Sequence, residues 1–444
     1  MNAPARELIA SINAVAVGRL RDQANIWSFE YSPEWIASRD AYDLSPSLPR
    51  RAGTIVDGAS ERPVQWFFDN LLPEEQAREV FAKEAKLAAS DAYGLLAYYG
   101  KESAGAITLL AAGETATTKG GYRALTNEAL HERIAKLPRQ SLAADAPKRM
   151  SNAGAQHKLA ICVRDGDLFE PLGSTASTHL LKPDHVDREN WPSSVANEYF
   201  VMSLAARLGL EVPPVQLRYV PDPVYIIERF DRHVQGENTV RLHTIDACQA
   251  LGLDRTFKYQ QATVESLVRC IDLCANRARA RQSLLQWLLF NILTGNGDAH
   301  LKNLSFRVHP DGLELAPFYD LVSTESYRAS ADSQPRWPKC DLSIQIGGAR
   351  TFAGITREHF SACAEQLGVN PRAASRLLEQ LTSTIVPAAD ALIEEFQAIR
   401  VPRPTIRAAQ LRVLQTIRHA VIGDMVKRLK TSATRRGKAR GLKT

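Results

Sequence analysis

Residues 281–320 combine four local signals in an order that few folds can accommodate. An apolar run with helical spacing ends at Gly295, a residue type that commonly terminates helices. The polar string GNGDAHLKN follows, and two alternating runs, LSFRV and LELAP, then flank the turn sequence HPDG. The segment therefore predicts a helix, a polar loop and a β-hairpin that leads to Asp320.

The polar loop carries the residue types and the spacing of a phosphoryl-transfer site. Asp298 and Asn303 are five residues apart, as in a kinase catalytic loop, where the carboxylate takes the proton of the attacking hydroxyl. Asn303 and Asp320 supply the oxygen ligands that Mg²⁺ uses beside nucleotide phosphates. The alternative is a polar turn without chemistry, because Asn, Gly and Asp favour turns for local backbone reasons. The helix before the loop and the hairpin after it favour the catalytic interpretation.

A lysine and a glutamate lie upstream, where a kinase needs them for nucleotide phosphates. Lys182 ends a short strand-like run, and Glu198 follows sixteen residues later in an amphipathic helical segment. Such a pair orients the phosphate-binding lysine of a kinase. Taken alone, Lys182 would be an ordinary surface lysine. The downstream loop supports the functional interpretation.

Two further segments suit nucleotide binding. The string SNAGAQHK from Ser151 places small residues before a predicted strand, where backbone N–H groups can approach phosphate oxygens. It contains one glycine, so it is neither a Walker A loop nor a three-glycine kinase loop, and a plain loop is the alternative. The apolar strand from Val224 runs into the charged string ERFDR, where a two-lobed kinase has its hinge.

These segments resemble the HipA family, the serine/threonine protein kinase toxins of bacterial type II toxin–antitoxin modules. Seven strings in the same order carry the likeness: SNAGAQHKLAI, STHLLKPD, NEYFVMSLAARLGLEVP, YIIERFDRH, DACQALG, GNGDAHLKNLSF and APFYDLVST. The N-terminal string WFFDNLLPEE also resembles the small domain that precedes the kinase core in full-length members. The likeness therefore covers nearly the whole chain.

The resemblance implies roles for the residues of the catalytic set. Asp298 would be the catalytic base, and Asn303 and Asp320 would be the Mg²⁺ ligands. Lys182 would contact the ATP phosphates, and Glu198 would form the ion pair with this lysine.

The resemblance also implies a nucleotide-binding set and a regulatory serine. Glu228 and Phe230 would offer hinge backbone atoms to adenine, and Asp231 would lie near the ribose. Ser151 would be autophosphorylated, which ejects its loop because a phosphoserine of about −2 charge cannot share a site with ATP phosphates. The residues implied in ATP binding are Ser151, Asn152, Ala153, Gly154, Ala155, Gln156, Lys182, Glu228, Phe230, Asp231, His300 and Lys302.

The resemblance implies a toxin that phosphorylates a component of translation, an aminoacyl-tRNA synthetase, and so arrests growth. The implied partner is a small HipB-like helix-turn-helix antitoxin, which would tether the kinase to operator DNA. Two alternatives stay open at this point. One is a catalytically silent co-repressor that keeps the fold as a scaffold, and the other is a small-molecule kinase. The intact catalytic set disfavours the first, and only the acceptor pocket would separate a protein acceptor from a small one.

The expected fold is α+β and two-lobed. A small α/β subdomain at 1–125 would precede a β-rich N-lobe at 135–238 and an all-α C-lobe at 239–430. The composition, with 45% hydrophobic and 23% charged residues, is that of a globular protein. No run approaches the roughly 18 apolar residues that span a bilayer, and the six scattered cysteines predict free buried thiols, so we expect a cytoplasmic protein without membrane contact.

The net charge of +6 comes from the C-terminal tail. Eight basic residues and no acidic ones lie between Lys427 and Thr444, which leaves the remainder of the chain near −2. Such a run, including the predicted basic tail 431–444, can bind nucleic-acid phosphates through counterion release. A solvated terminus without a ligand is the alternative.

Overall fold

The structure is a computed structural model, and it describes residues 6–114, 119–151, 153–154, 156–236, 238–329 and 337–430. The chain forms two compact units that alternate along the sequence. The first unit contains residues 1–186, 220–258 and 305–316, and the second contains residues 187–219, 259–304 and 317–444. The catalytic loop predicted at 295–303 belongs to the second unit, whereas the predicted phosphate loop, the string SNAGAQHK from Ser151, belongs to the first.

Strands occur in both units. They are β1 Arg6–Ile12, β2 Val15–Gln23, β3 Ile26–Tyr31, β4 Thr54–Val56, β5 Ile107–Ala111, β6 Gly121–Ala124, β7 Leu159–Arg164, β8 Asp167–Leu172, β9 His179–Pro183, β10 Val215–Tyr219, β11 Pro223–Glu228, β12 Arg232–Gln235, β13 Asn238–Arg241, β14 Thr244–Asp246, β15 Ser305–His309, β16 Gly312–Leu315, β17 Asp341–Ile346 and β18 Ala349–Thr351.

The longest helices lie in the second unit. The helices are α1 Pro33–Ala37, α2 Pro63–Asp69, α3 Glu75–Ala85, α4 Ala92–Tyr99, α5 Asn127–Ala135, α6 Ser194–Arg207, α7 Ala247–Leu251, α8 Val264–Asp272, α9 Arg277–Thr294, α10 Ser326–Ala329, α11 Arg357–Gln366, α12 Pro371–Ala398, α13 Pro404–Thr416 and α14 Gly423–Lys430. Short 3₁₀ turns occur at Arg255–Phe257, Leu301–Asn303 and Phe352–Gly354, and a π-helical segment at Ile417–Ile422 joins α13 to α14.

The first unit is built on antiparallel sheets. The N-terminal sheet has the strand order β4-β3-β2-β1-β5, and its aromatic side chains are buried against α2 and α4. The Phe29 and Phe68 rings lie 5.6 Å apart, and Trp27 meets Tyr93 edge-on at 5.1 Å. The alternating burial along β3 places Trp27 and Phe29 on one face of the sheet, because alternate side chains on a strand face the same side.

A second sheet of the first unit carries the predicted nucleotide-binding segments. Strands β11, β9, β7, β8 and β6 are neighbours in that order, and helix α5 contributes to the apolar core on which they rest. A third, smaller sheet pairs β14 with β15 and β15 with β16. The core residues of the second sheet are Leu125, Leu130, Ile134, Leu142, Leu159, Ile161, Leu168, Leu181, Val220, Val224 and Ile226.

The second unit is mainly helical, with a small hairpin of β17 and β18. Helix α12 packs against α6, α9, α11 and α13. Helix α9 begins at the side-chain cap of Asn276 and ends at Gly295, which has φ of 65°. The left-handed conformation of Gly295 suits a residue without Cβ, and a Cβ there would lie 2.6 Å from a methyl carbon of Val421.

Several local predictions agree with the structure. The run before Gly295 is helix α9, the hairpin around HPDG is β15–β16, and Glu198 lies in a helix, α6. The six cysteines are free and buried, as expected. Among the described residues, no helix combines the length and the apolar character that a bilayer crossing needs. The domain bounds at 125, 238 and 430 remain a prediction, and the basic tail 431–444 lies outside the described residues.

Candidate active site

The end of helix α9 orients the catalytic loop through two asparagines. The Asn296 backbone N–H donates to the Asn291 carbonyl at 2.9 Å, and the Asn296 side-chain amide donates to Asn291 Oδ1 at 2.8 Å. The Oδ1 atom of Asn296 in turn accepts a hydrogen bond from the Asp298 backbone N–H at 3.0 Å. Asn296 is 2% exposed, so these hydrogen bonds are shielded from water. They fix the position of the Asp298 backbone after the end of helix α9.

The loop closes on itself and leaves the Asp298 carboxylate accessible. Asn303 Nδ2 donates to the Asp298 backbone carbonyl at 2.8 Å, and the His300 backbone N–H donates to the same oxygen at 2.9 Å. The Asp298 side chain is 46% exposed, and its Oδ1 accepts a hydrogen bond from the Tyr259 hydroxyl at 2.5 Å. A carboxylate that is positioned by its backbone and exposed at its oxygens suits a general base.

The two predicted metal ligands are tied together through their neighbours. The Tyr319 hydroxyl donates to the Lys302 carbonyl at 2.7 Å, which links the residue before Asp320 to the residue before Asn303. Asp320 has φ of 52°, an uncommon value for a residue with a side chain and one that strained functional positions often show. Since the Asn303 amide nitrogen is used within the loop, its Oδ1 is the atom suited to a cation.

The donor types in this part of the second unit fit a hard divalent cation. Amide and carboxylate oxygens such as those of Asn303 and Asp320 are preferred by Mg²⁺, which takes its remaining ligands from water and phosphate. Within the described ranges, no group of three or more His, Cys, Asp or Glu side chains is arranged to hold a metal. The oxygen donors of Asn303 and Asp320 thus fit the ligand chemistry of Mg²⁺.

A buried glutamate supports the loop from behind. Glu325 is 2% exposed, its backbone N–H donates to the Gly295 carbonyl at 3.0 Å, and Arg328 pairs with its carboxylate at 3.3 Å. The Gly297 N–H donates to Thr324 Oγ1 at 2.7 Å, and a Cβ at Gly297 would lie 2.4 Å from Glu325 Oε1. A side chain at position 297 would therefore require Glu325 to shift.

The described part of the predicted phosphate loop is bonded to other residues of the first unit. Ser151 is fully buried: its hydroxyl donates to the Leu71 carbonyl, and its backbone N–H donates to the Glu102 carbonyl at 2.7 Å. Gly154 has φ of 101°, and its carbonyl accepts the Glu74 N–H at 3.2 Å.

The last residue of the predicted phosphate loop, Lys158, donates a hydrogen bond to the loop backbone. Lys158 Nζ donates to the Ala153 carbonyl at 2.6 Å, and Gln156 lies in the bend between them. Burial, with a smaller effect of His185, lowers the pKa of His157. The predicted nucleotide contacts Asn152 and Ala155 lie outside the described residues.

Lys182 and Glu198 are both buried, in different units. Lys182 lies on β9 opposite Tyr225 of β11, is 4% exposed, and has its ammonium 5.7 Å from the centre of the Tyr225 ring. Glu198 is 3% exposed in α6. A surface lysine would be exposed, so the burial of Lys182 excludes the simplest alternative to a functional role. The ion pair between the two residues remains a prediction.

The predicted hinge string ERFD ends at Asp231, whose carboxylate has several partners. Asp231 is 6% exposed, pairs with Arg229 at 2.7 Å and Arg232 at 3.1 Å, and accepts the Gly105 N–H at 2.7 Å. Burial opposes ionisation, but the arginines, Arg229 foremost, outweigh it and lower the pKa of Asp231 to about 2. The ribose contact predicted for Asp231 remains a prediction.

The other two predicted hinge positions are Glu228 and Phe230. Glu228 is exposed at the end of β11, where it pairs with His179 in the ladder. The Phe230 carbonyl accepts a hydrogen bond from Arg307 at 3.2 Å, so this backbone atom already has a partner. The adenine contacts predicted for Glu228 and Phe230 remain predictions.

Sequence reasoning missed three residues near these segments. Tyr259 reaches Asp298 across 39 residues, Glu325 lies behind the loop, and Glu102 is buried among the side chains around the hinge. Glu102 pairs with Lys148 at 2.6 Å and Arg232 at 3.3 Å. No local pattern distinguishes any of the three, because their roles depend on contacts between distant parts of the chain.

Comparison with known proteins agrees with the predicted fold. The family model described as the HipA N-terminal domain matches residues 8–110, and the model described as the HipA-like C-terminal domain matches residues 150–389. A protein of Sinorhizobium fredii named putative kinase Y4mE is 33% identical over 380 residues, which cover 83% of this chain and 87% of that protein.

A second relative is known by structure as well. The serine/threonine-protein kinase toxin HipA of Shewanella oneidensis is 31% identical over 326 residues, which cover 68% of this chain and 71% of that protein. A solved structure of HipA, HipB and operator DNA from this species superposes with a TM-score of 0.76 at 26% identity, covering 96% of this chain and 100% of the other. These findings establish a kinase-like α+β fold, as predicted. The chain belongs to the HipA family.

Proposed function

We propose that this protein is an ATP- and Mg²⁺-dependent serine/threonine protein kinase that acts as the toxin of a HipBA-type module. The observation that carries the proposal is the geometry of the catalytic loop. The Asn303 amide holds the Asp298 backbone carbonyl at 2.8 Å, while the Asp298 carboxylate is 46% exposed. This arrangement provides an accessible base and, five residues later, an amide oxygen for a cation.

In the proposed reaction, the Asp298 carboxylate orients the acceptor hydroxyl and accepts its proton. A bond forms between the acceptor oxygen and the γ-phosphorus as the bond to the bridging oxygen breaks, and ADP leaves. Lys182 neutralises phosphate charge, and Asn303 and Asp320 would hold the Mg²⁺ ion. Bound Mg²⁺ would supply further neutralisation of the charge that develops on the phosphates.

The proposal includes self-inhibition through Ser151. In the described state this hydroxyl is fully buried against the Leu71 carbonyl, where a phosphate of about −2 charge would have no solvent and no space. Phosphorylation at Ser151 would therefore require the loop to leave this position and stay out of it. That requirement supports a loop that switches the kinase off.

The remaining parts of the proposal concern partners. The protein of Shewanella oneidensis is a kinase toxin and occurs in a complex with HipB and operator DNA. By this relation we propose a HipB-like antitoxin as partner, operator contact mainly through it, and action in the cytoplasm. The proposed target is a translation component, an aminoacyl-tRNA synthetase.

The deciding experiment is incubation of the purified full-length protein with Mg²⁺ and γ-labelled ATP. Asp298→Asn and Ser151→Ala variants are treated in parallel, and phosphate is mapped by mass spectrometry. We expect label on Ser151 in the wild type, none with Asp298→Asn, and none at position 151 with Ser151→Ala. Absence of both label and ATP binding in the wild type would refute the kinase and favour a scaffold.

A further inference from the structure

Tyr259 contacts the proposed catalytic base directly. Its hydroxyl donates to Asp298 Oδ1 at 2.5 Å, a short hydrogen bond to the carboxylate that would take the proton of an acceptor hydroxyl. Both residues belong to the second unit. The acceptor of a kinase presents the same chemical group, a hydroxyl, to the carboxylate of the base. A tyrosine hydroxyl and an acceptor hydroxyl cannot share one hydrogen-bonding position on Asp298 Oδ1.

The ring of Tyr259 is held beside the loop without being buried. It meets the His300 ring edge-on, with centroids 4.8 Å apart and an interplanar angle of 81°. The Ala262 N–H donates to the Tyr259 carbonyl at 3.0 Å, and Thr263 then caps helix α8. Tyr259 is nevertheless 48% exposed. The residue is therefore positioned by a short turn and can move away without opening the core.

A purely structural role would predict a different environment. A tyrosine that stabilises a fold usually buries its ring and bonds its hydroxyl to a backbone carbonyl, as Tyr93 does with the Leu20 carbonyl at 2.8 Å. Tyr259 has an exposed ring and bonds to a carboxylate that is itself half-exposed. This combination suits a contact that is exchanged during turnover.

We propose that the Tyr259 hydroxyl holds the place of the acceptor hydroxyl on Asp298, so that an acceptor must displace it before phosphoryl transfer. This inference rests on the proposed kinase function. Tyr259 would then determine specificity: a water molecule lacks the binding energy to displace the phenol, whereas a protein acceptor that binds over a larger surface has it. The contact would thereby limit wasteful hydrolysis of ATP.

The test measures transfer to water, because this needs no knowledge of the protein target. In that reaction water oxygen bonds to the γ-phosphorus, the bond to the bridging oxygen breaks, ADP leaves and Asp298 takes the proton. Initial rates of Mg²⁺-ATP hydrolysis are compared for the wild type, Tyr259→Phe and Tyr259→Phe/Asp298→Asn. Tyr122→Phe is the matched control, since Tyr122 is also exposed, at 37%, and lies on β6.

We expect Tyr259→Phe to raise the turnover number for hydrolysis about three- to tenfold, the effect of losing one competing hydrogen bond. The KM for ATP should not change, Tyr122→Phe should behave as the wild type, and the double variant should fall to background. A hydrolysis rate equal to or below that of the wild type would overturn the inference, because a freed base should be more available to water.

A second measurement does not depend on turnover. A water-soluble carbodiimide with an amine labels accessible carboxylates, and the extent at Asp298 can be mapped by mass spectrometry. Tyr259→Phe should raise labelling at Asp298 and leave labelling at the exposed Asp311 unchanged. Equal labelling of Asp298 in both proteins would also overturn the inference.

Failure of the proposed kinase function has a distinct signature. In that case calorimetry would detect no Mg²⁺-ATP binding by the wild type or by Tyr259→Phe, and hydrolysis would stay at background in every variant. That result would remove the inference together with the function on which it rests. ATP binding without the rise in hydrolysis would remove the inference alone.

Discussion

Two regions of this protein use aspartate in opposite ways. The side chain of Asp231 in the first unit is 8% exposed and is bonded to two arginines and a backbone N–H. The side chain of Asp298 in the second unit is 46% exposed, and its Oδ1 accepts a hydrogen bond from the Tyr259 hydroxyl and lies 4.0 Å from His300 Nε2. Removal of a buried carboxylate whose partners are all in place is costly, because it leaves the partner charges buried and uncompensated. A sparsely bonded and accessible carboxylate contributes little stability but can exchange partners, which catalysis requires.

Removal of the two carboxylates should therefore affect stability very differently. We expect Asp231→Ala to lower the free energy of unfolding by about 3–5 kcal/mol, because it leaves Arg229 and Arg232 buried with a missing partner. The matched variant Asp298→Ala should change it by less than about 0.5 kcal/mol. Urea unfolding followed by circular dichroism measures both, and equal losses would contradict the distinction between the regions.

A buried histidine makes the stability of the first unit depend on pH. His243 of the first unit is 4% exposed, with Nε2 bonded to the Leu44 carbonyl at 2.8 Å. Burial lowers its pKa from 6.5 to about 4. Between those values the unfolded chain binds a proton that the folded chain excludes, so the free energy of unfolding should fall by about 3 kcal/mol as pH drops from 6.5 to 4.

The measurement is the urea midpoint as a function of pH. His243→Phe should flatten the dependence between pH 6.5 and 4, while the control His233→Phe, at an exposed position, should leave it as in the wild type. A second loss below about pH 4 belongs to Glu102 and Asp231, since paired cations lower the pKa of both carboxyls despite their burial. Unchanged pH dependence in His243→Phe would refute the assignment.

The support behind the catalytic loop can be tested with a methyl group. Gly297→Ala places Cβ 2.4 Å from Glu325 Oε1, and we expect a loss of about 1–3 kcal/mol in the free energy of unfolding. Kinase activity should fall as Asp298 is displaced. Gly354→Ala is the control, because its nearest atom, Thr351 Oγ1, lies 3.5 Å away. If Gly297→Ala keeps full activity, the loop does not depend on this close approach.

The smallest expected effect is at the hydrogen bond between the two segments that carry the predicted metal ligands. Tyr319→Phe removes the hydroxyl that donates to the Lys302 carbonyl at 2.7 Å, and should cost about 0.5–1.5 kcal/mol of stability. We expect the apparent affinity for Mg²⁺ in the kinase assay to fall, with the KM for the acceptor unchanged. The magnesium dependence of initial rates tests this, and an unchanged dependence would show that Asp320 is positioned by other contacts.

The sequence predicted what local patterns control. The hairpin at 305–315 follows from two alternating runs around a Pro-Asp-Gly turn, and the end of α9 follows from Gly295. The spacing of Asp298 and Asn303 predicted that they belong to one loop, and the Asn303 amide does bond to the Asp298 carbonyl.

Contacts between distant segments could not be predicted in this way. Tyr259 and Asp298 are 39 residues apart, and Glu102 and Arg232 are 130 apart, so no window of sequence contains either pair. The string ERFD shows the resulting limit. A charged run after an apolar strand predicted a hinge, but it did not predict that the carboxylate of Asp231 is buried by Gly105 and two arginines. Burial depends on the whole fold, which a local pattern does not encode.

The interleaved order of the two units has a consequence for biosynthesis. Strand β15, which pairs with β14 of the first unit, lies just after the catalytic loop at 295–303. When residues 1–258 have emerged from the ribosome, β14 of the first unit therefore still lacks its neighbour β15. The unit can be completed only once residue 316 has emerged, by which time Asp298 and Asn303 have already been synthesised. Because synthesis proceeds from the N-terminus, the first unit can be completed only after the predicted catalytic loop has been synthesised. A shorter nascent chain cannot contain the complete first unit.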